Sequence, residues 1–160
     1  MVTPVNLISP QQFEFLLPLA QAWAERQEAL ILKNGVPLSA AQMADARRIG
    51  IAFPERVRLL RVPQIPQPEH PLLRAAGEQI GLITSQAAGL TLRYGIYICA
   101  HSWDDRHLVV HEMAHVRQYE KLGGFAPFLR QYLTECLTVG YHDSPLEQDA
   151  IATAQRICDT

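Results

Sequence analysis

The stretch from Arg106 to Leu122 constrains the fold of this chain more than any other, because it contains neither glycine nor proline. Asp104 or Asp105 can cap its first turn, and Gly123-Gly124 can end it. The stretch therefore predicts a helix of about five turns. Apolar side chains would bury much of its surface: Leu108, Val109, Met113, Val116 and Tyr119. We expect a largely buried, rigid helix.

This predicted helix carries the residues His-Glu-Met-Ala-His at positions 111–115. With about 3.6 residues per turn, His111 and His115 lie on the same face, so both imidazoles can bind one metal ion at ~2.0–2.1 Å. Glu112 lies about 100° further round, where it can act as a general base without being a ligand. His107 lies roughly 12 Å from His115 along the axis, too far to share its ion, and is expected to be solvated or to contact a ligand rather than to be one. A surface helix with two chance histidines is the alternative, and the apolar flanks argue against it.

Length and composition exclude several classes of protein. A chain of 160 residues with 48% hydrophobic residues is expected to form one domain with a real core. The net charge is −2 and the basic residues are scattered, so the sequence does not predict a basic surface that binds nucleic acid. Because there is no apolar run of 18 residues and no basic segment before an apolar one at the start, we expect neither a membrane span nor a secretory signal.

The three cysteines are an odd number, widely spaced, with no Cys-x-x-Cys pair; they are Cys99, Cys136 and Cys158. This pattern is typical of free buried thiols in a reducing compartment rather than of a disulfide framework. The sequence therefore predicts a cytoplasmic protein.

The N-terminal part, residues 1–85, is predicted to be mainly helical. Its first helix contains Pro18, which marks either a kink or the true start. Ser39 and Gln42 form a capping box for the second helix. The predicted elements are helices over 11–33, from 39 to about 48 and from 71 to about 80, with a strand over 57–62 before a proline-rich connector.

The second part, residues 86–160, is predicted to contain β-strand, the helix over 106–122 that carries His111 and His115 (the metal helix), and a later helix that carries Glu147. Residues 89–99 are rich in β-branched and aromatic side chains and predict one or two strands, with Gly95 at a turn or bulge. Helices are predicted over 106–122, 127–139 and 145–157. We therefore expect residues 1–160 to form a single α+β domain, mainly helical, in which a small β-sheet precedes the metal helix.

A catalytic zinc usually takes three protein ligands, so one more His, Glu or Asp is needed beside the two histidines. The metzincin arrangement is excluded, because it requires Gly and His where this chain has Gln118 and Lys121. Glu120 lies on the same helix but off the histidine face. Glu135 lies among apolar residues of the next helix.

Two segments of the chain resemble a known family. Residues 108–118 read LVVHEMAHVRQ, and residues 140–150 read GYHDSPLEQDA. On these segments the chain resembles the gluzincins, zinc hydrolases in which a Glu from a later helix completes His-Glu-x-x-His. It is most similar to the short, minimal members, and the similarity covers roughly residues 89–150. The chain departs from the family pattern at Ile151, where the family has Asp, and at Arg117, where a hydrophobic residue is common.

The resemblance implies a zincin-like fold with Zn²⁺ bound by His111, His115 and Glu147. It implies Glu112 as the base of a metallopeptidase or related amide hydrolase acting on a peptide or protein. Glu147 has a second explanation, because Ser144-Pro145-Leu146-Glu147 is itself a capping box. Asp149 lies about 200° round that helix from Glu147. It either accepts the free N–H of a ligand histidine or favours the helix N-terminus.

Three further alternatives stay open at the level of sequence. Tyr141 or His142 could donate to the oxyanion of a tetrahedral intermediate, and Tyr141 is preferred because a phenol donates without prior protonation. Residues 96–98 form either an edge that pairs with an extended peptide or an ordinary core strand. The rival to an enzyme is a non-catalytic zinc module that binds a partner, which a fourth ligand such as His142 would favour.

Overall fold

The computed structural model describes residues 8–81 and 87–159. In these ranges there are six helices: α1 (Pro10–Asn34), α2 (Ala40–Ile49), α3 (Pro71–Gln79), α4 (Arg106–Leu122), α5 (Phe125–Val139) and α6 (Pro145–Cys158). Four strands form one sheet: β1 (Val36–Pro37), β2 (Arg58–Val62), β3 (Gly89–Leu92) and β4 (Gly95–Cys99). Short 3₁₀ turns occur at Pro54–Arg56 and Ala100–Ser102. The predicted α+β, mainly helical fold is confirmed.

The sheet is mixed, with the strand order β1-β2-β4-β3. β1 pairs with β2 and β3 with β4 in antiparallel direction, whereas β2 and β4 run parallel with Leu59 beside Ile96. All five residues of β4 are buried. The alternative in which residues 96–98 offer an edge to a peptide is wrong, because β2 and β3 occupy both sides of β4. Among the strands described, β3 is the outer one on that side of the sheet.

The β3–β4 hairpin turns at Arg93 and Tyr94 rather than at Gly95. Arg93 has a φ of 61°, in the left-handed region that non-glycine residues rarely adopt. Gly95 is instead the first residue of β4, and a Cβ there would lie 2.9 Å from the Cβ of Ile31. Gly95 is therefore required by the close approach of α1, not by the turn.

Helix α1 begins earlier than the sequence pattern indicates. Ser9 and Gln12 form a reciprocal capping box that the sequence analysis missed, with each side chain accepting from the other's backbone N–H. Pro18 lies inside the helix and does not mark its start. Further along, buried Glu28 accepts two hydrogen bonds from Arg93, at 2.8 and 2.7 Å. This ion pair anchors α1 to the β3–β4 hairpin.

Helix α4 begins and ends at the predicted residues. The Asp105 side chain accepts a hydrogen bond from the Leu108 amide at 3.1 Å, and Gly123 ends the helix with a φ of 101°. Ten of its residues are buried, because it contacts α2, α5 and α6 as well as β3 and β4. The helix that carries the histidines is therefore a rigid support held on several sides.

All three cysteines are free, as predicted: Cys99 and Cys136 are buried and Cys158 is half-buried. No helix within residues 8–81 or 87–159 has both the length and the apolar character needed to cross a membrane.

Candidate metal centre

The site begins on one face of α4, where His111, Glu112 and His115 lie together. One nitrogen or oxygen of each residue lies within 4.8 Å of those of the other two, so this group can hold a metal ion. Glu112 and His115 are buried, and the His111 side chain keeps 17% of its exposure. The two imidazole rings are 5.2 Å apart between centroids and nearly perpendicular. Helical spacing alone accounts for this arrangement.

Glu147, from the first turn of α6, reaches both histidines. Its Oε1 lies 2.6 Å from Nε2 of His111, and its Oε2 lies 3.3 Å from Nε2 of His115. Ser144 does cap α6, since its hydroxyl accepts from the Glu147 amide at 3.1 Å. The reciprocal half of the capping box is not formed, because the Ser144 amide donates instead to the Tyr141 carbonyl. The carboxylate of Glu147 is thus free of the cap and faces the histidines.

The orientation of His115 is set by a neighbour on its own helix. Nδ1 of His115 lies 2.7 Å from Oε1 of Gln118. The amide nitrogen of Gln118 donates to the Leu146 carbonyl and to the Asp149 carboxylate, each at 2.8 Å, so its oxygen must be the atom facing the ring. An amide oxygen only accepts, so Nδ1 carries the proton and the other nitrogen, Nε2, is directed at Glu147.

Asp149 therefore acts one step further away than the sequence analysis proposed. It does not accept from a histidine; it accepts from Gln118 and, at 2.7 Å, from Arg117. Arg117 is buried although the family pattern favours a hydrophobic residue there, and it also donates to the Ile49 carbonyl. The bonds to Asp149 connect α4 to α6 and hold the Gln118 amide in place, whereas the bond to Ile49 connects α4 to α2.

Tyr132 on α5 is a site residue that sequence reasoning missed. Its hydroxyl donates to Oε2 of Glu147 at 2.7 Å, and its ring packs edge-on against His115 with centroids 5.9 Å apart. In the sequence it is one apolar position in an ordinary helical stripe, so no local signal distinguishes it. Tyr141 also lies at the site, with its hydroxyl 3.4 Å from Oε1 of Glu147.

His142 is placed differently from Tyr141. Its side chain is 81% exposed, and its Nδ1 lies 3.4 Å from the Asp143 carboxylate. It lines the rim of an open depression next to His111 but makes no hydrogen bond to a residue of the centre in the part of the chain described. The structure therefore brings Tyr141 to the centre and leaves His142 at its edge. His107 is exposed, as predicted.

The other acidic candidates are held elsewhere. Glu120 accepts from the backbone amides of Ala52 and Phe53, at 2.8 and 3.1 Å. Glu135 accepts from the Leu146 amide at 3.0 Å, at the start of α6. Both carboxylates thus stabilise backbone N–H groups away from the histidines.

Strand β3 closes the site beside Glu112. The Thr91 hydroxyl donates to the Glu112 carbonyl at 2.9 Å and lies 3.3 Å from its Oε1. A Cβ on Gly89 would lie 3.1 Å from Cγ and 3.2 Å from the carboxylate carbon of Glu112. Gly89 and Thr91 therefore leave room for this carboxylate and limit its position, and neither carried a recognisable sequence signal.

The buried charges of the centre shift one another's pKa in opposite directions. Burial raises the pKa of Glu147, but hydrogen bonds from His111 and His115 outweigh it and hold this pKa well below its usual range. Burial lowers the pKa of His115, yet its bond to Glu147 and the charges of Glu112 and Glu147 raise it to about 9. Burial raises the pKa of Glu112, which the histidine charges oppose only in part. Glu147 is thus firmly ionised, and of the two carboxylates Glu112 is the better base.

Comparison with protein-family models, with curated proteins and with solved structures finds no match for this chain. The inference of function therefore depends on the chemistry and geometry of the centre.

Proposed function

We propose that this protein is a zinc-dependent metallopeptidase or a related amide hydrolase. The observation that carries the proposal is the convergence of three side chains from two helices: the ring nitrogens of His111 and His115 both face the carboxylate of Glu147. Two imidazoles and one carboxylate are a donor set that catalytic zinc sites use. The gluzincin-like segments 108–118 and 140–150 supply these same residues.

One of the two nitrogen–oxygen distances at the centre fits such an ion. Two ligands at ~2.0–2.1 Å from a tetrahedral zinc lie about 3.3–3.4 Å from each other. The separation of 3.3 Å between His115 Nε2 and Glu147 Oε2 meets this requirement, whereas the 2.6 Å between His111 Nε2 and Glu147 Oε1 is a hydrogen-bond distance, so these two atoms would move apart when zinc binds. Since Gln118 holds the proton of His115 on Nδ1, Nε2 is the nitrogen available to the ion.

Bound zinc would polarise the carbonyl of the scissile amide and make a nearby water more acidic. Glu112 would accept a proton from the attacking water and pass it to the leaving amine. Glu112 suits both steps by its position, because its carboxylate lies beside the two histidines that would hold the ion. The Tyr141 hydroxyl would donate to the developing oxyanion, because a phenol carries its proton at neutral pH and burial raises the pKa of Tyr141 further.

An extended peptide or protein segment is the proposed substrate. Strand β3 is the outer strand of the sheet in the described chain and lies directly beside Glu112. The outer edge of a sheet is of the kind that binds peptides by strand addition, and on β3 the Thr91 carbonyl already accepts from the Tyr119 hydroxyl at 3.4 Å. The free state of Cys99 and Cys136 supports a reducing compartment, so we propose a cytoplasmic location.

The rival function, a non-catalytic zinc module, predicts a fourth protein ligand that closes the metal. His142 was the residue considered for that role. Its side chain is 81% exposed and, within the described part of the chain, makes no hydrogen bond to Glu147 or to either histidine of the centre, which argues for the enzyme.

The test combines metal analysis with the variant Glu112→Gln. The purified wild-type protein is expected to hold one equivalent of zinc and to cleave unfolded protein or members of a peptide library. Glu112→Gln should keep the zinc and lose activity by about 10²–10⁴-fold, since a neutral amide cannot accept the proton of water. Glu55→Gln, at an exposed position far along the chain, is the matched control and should retain full activity. Loss of zinc from Glu112→Gln would contradict the proposed division of roles.

A further inference from the structure

An apolar cavity of about 280 Å³ opens directly onto the candidate metal centre. Its walls come largely from α1, α3, β3 and α5, and His111, Glu112 and His115 are part of its lining. The N-terminal helices α1 and α3 lie outside the gluzincin-like part of the sequence. They are nevertheless next to its proposed reactive groups, which gives the N-terminal part a place in the function.

Away from the metal centre, the side chains that line the cavity are mainly apolar. Helix α1 contributes Phe13, Leu17 and Trp23, α3 contributes Leu73, and Ile80 follows directly after α3. Among the described residues that line the cavity, the charged side chains all belong to the centre itself, namely His111, Glu112, His115 and Glu147. Within residues 8–81 and 87–159, the lining offers no lysine, arginine or further acidic group that could pair with a charged substrate side chain. Burial of such a charge without a partner is strongly unfavourable, so the cavity selects against it.

The volume sets the size of the group that fits. An apolar cavity of about 150 Å³ can hold benzene, and a water-sized group occupies about 30 Å³. A volume of 280 Å³ therefore admits a group larger than benzene, such as an aromatic or long branched aliphatic side chain. An alanine side chain would leave most of this apolar surface without contacts.

We infer that α1 and α3 form the specificity pocket of the enzyme, and that this pocket binds a large apolar side chain of the peptide next to the scissile amide. The inference rests on the proposed hydrolysis at the His–Glu centre. A peptide bond positioned against Glu112 has its neighbouring side chain at the mouth of the cavity, because Glu112 is itself part of the lining. Release of water from the pocket by an apolar group favours binding.

The activity test uses peptides that are identical except for Ala, Asp, Leu or Phe at one position. Wild-type protein should cleave the Leu and Phe peptides with kcat/KM about 10- to 100-fold above the Ala peptide, the usual effect of burying such a side chain. The Asp peptide should be the poorest. Equal kcat/KM for all four peptides would overturn the inference and leave the proposed hydrolysis intact.

Two neighbouring leucines of α3 provide matched variants. Leu73 lines the cavity, whereas Leu72 is 58% exposed and does not line it. Leu73→Ala should reduce the preference for Phe over Ala, and Leu72→Ala should not change it. Ala76→Leu adds volume at another lining position and should lower kcat/KM for the Phe peptide while sparing the Ala peptide. Circular dichroism checks that each variant is folded.

A binding measurement separates failure of the pocket from failure of the enzyme. N-acetyl-phenylalaninamide should bind the wild-type protein at least about 10-fold more tightly than N-acetyl-alaninamide. Trp23 lines the cavity and Trp103 does not, so tryptophan fluorescence of the Trp103→Phe variant reports on binding without any turnover. Binding of the Phe compound that is lost in Ala76→Leu, with no peptide cleaved, would support the pocket and refute the hydrolase. Equal binding of both compounds would refute the pocket.

Discussion

Replacing Glu147 by Gln tests whether this residue holds the metal or only begins α6. The carboxylate accepts from the Tyr132 and Tyr141 hydroxyls and faces Nε2 of both His111 and His115. Gln at 147 keeps one acceptor oxygen and puts an NH₂ donor in the place of the other, so at least one buried donor loses its partner. Each hydrogen bond to a charged group contributes about 1.5–3 kcal/mol. Without metal, the free energy of unfolding of Glu147→Gln should therefore be about 2–3 kcal/mol lower than that of the wild-type protein.

Glu147→Gln should reduce the affinity for zinc more strongly than it reduces the free energy of unfolding. Residues that merely position metal ligands change affinity by about 10–100-fold, so loss of a charged ligand should weaken zinc by at least about 100-fold. Titration of the protein against a chelator of known affinity measures this change. Denaturant unfolding in excess chelator measures the free energy of unfolding separately.

Ser144→Ala is the matched control, because it removes the N-cap and leaves the carboxylate in place. The Ser144 side chain is fully buried and accepts only at the helix start, so its loss should cost about 1 kcal/mol and change zinc affinity little. Zinc binding by Glu147→Gln at wild-type strength would refute the assignment of Glu147 as a ligand. It would leave the cap as the only role of this residue.

Three further predictions follow from contacts around the centre. Gln118→Met removes the acceptor at 2.7 Å from His115 and should weaken zinc by about 10–100-fold, measured by the same chelator titration. Gly89→Ala places a Cβ 3.1 Å from Cγ of Glu112, so kcat should fall while zinc content stays stoichiometric; unchanged kcat would mean that this carboxylate has room to move. Burial and the bond to Glu120 raise the pKa of Tyr94 to about 12 from an ordinary value near 10. The folded state keeps a proton there that the unfolded state loses between these values, so the free energy of unfolding should fall more steeply from pH 10 to 12 in wild type than in Tyr94→Phe.

Features that depend on a few neighbouring residues could be predicted without the structure. The capping box of Ser39 and Gln42, the cap at Asp105 and the glycine stop at 123 all involve contacts across three or four positions. The i, i+4 placement of His111 and His115 is likewise a property of one helix. Such contacts are present as soon as the helix forms, so a linear pattern contains them.

The arrangement of the strands could not be predicted in the same way. Residues 89–99 were correctly expected to be extended, but which strand would be central depends on partners far along the chain. β2 pairs with β4 across more than thirty positions, and this pairing buries β4 and leaves β3 outside. The hydrophobicity of a segment indicates that a strand is buried, but it does not indicate which strands pair with it.

The two readings of Glu147 show where local information ends. The sequence by itself determined that Ser144 starts a helix and that Glu147 lies in its first turn. Only the tertiary structure decided the direction of the Glu147 side chain, because the packing of α6 against α4 brings it to two histidines and α5 adds the Tyr132 hydroxyl. The same packing leaves His142 exposed. These contacts join residues that are distant in sequence. A buried carboxylate needs hydrogen-bond donors, and only the folded core determines which donors lie within reach.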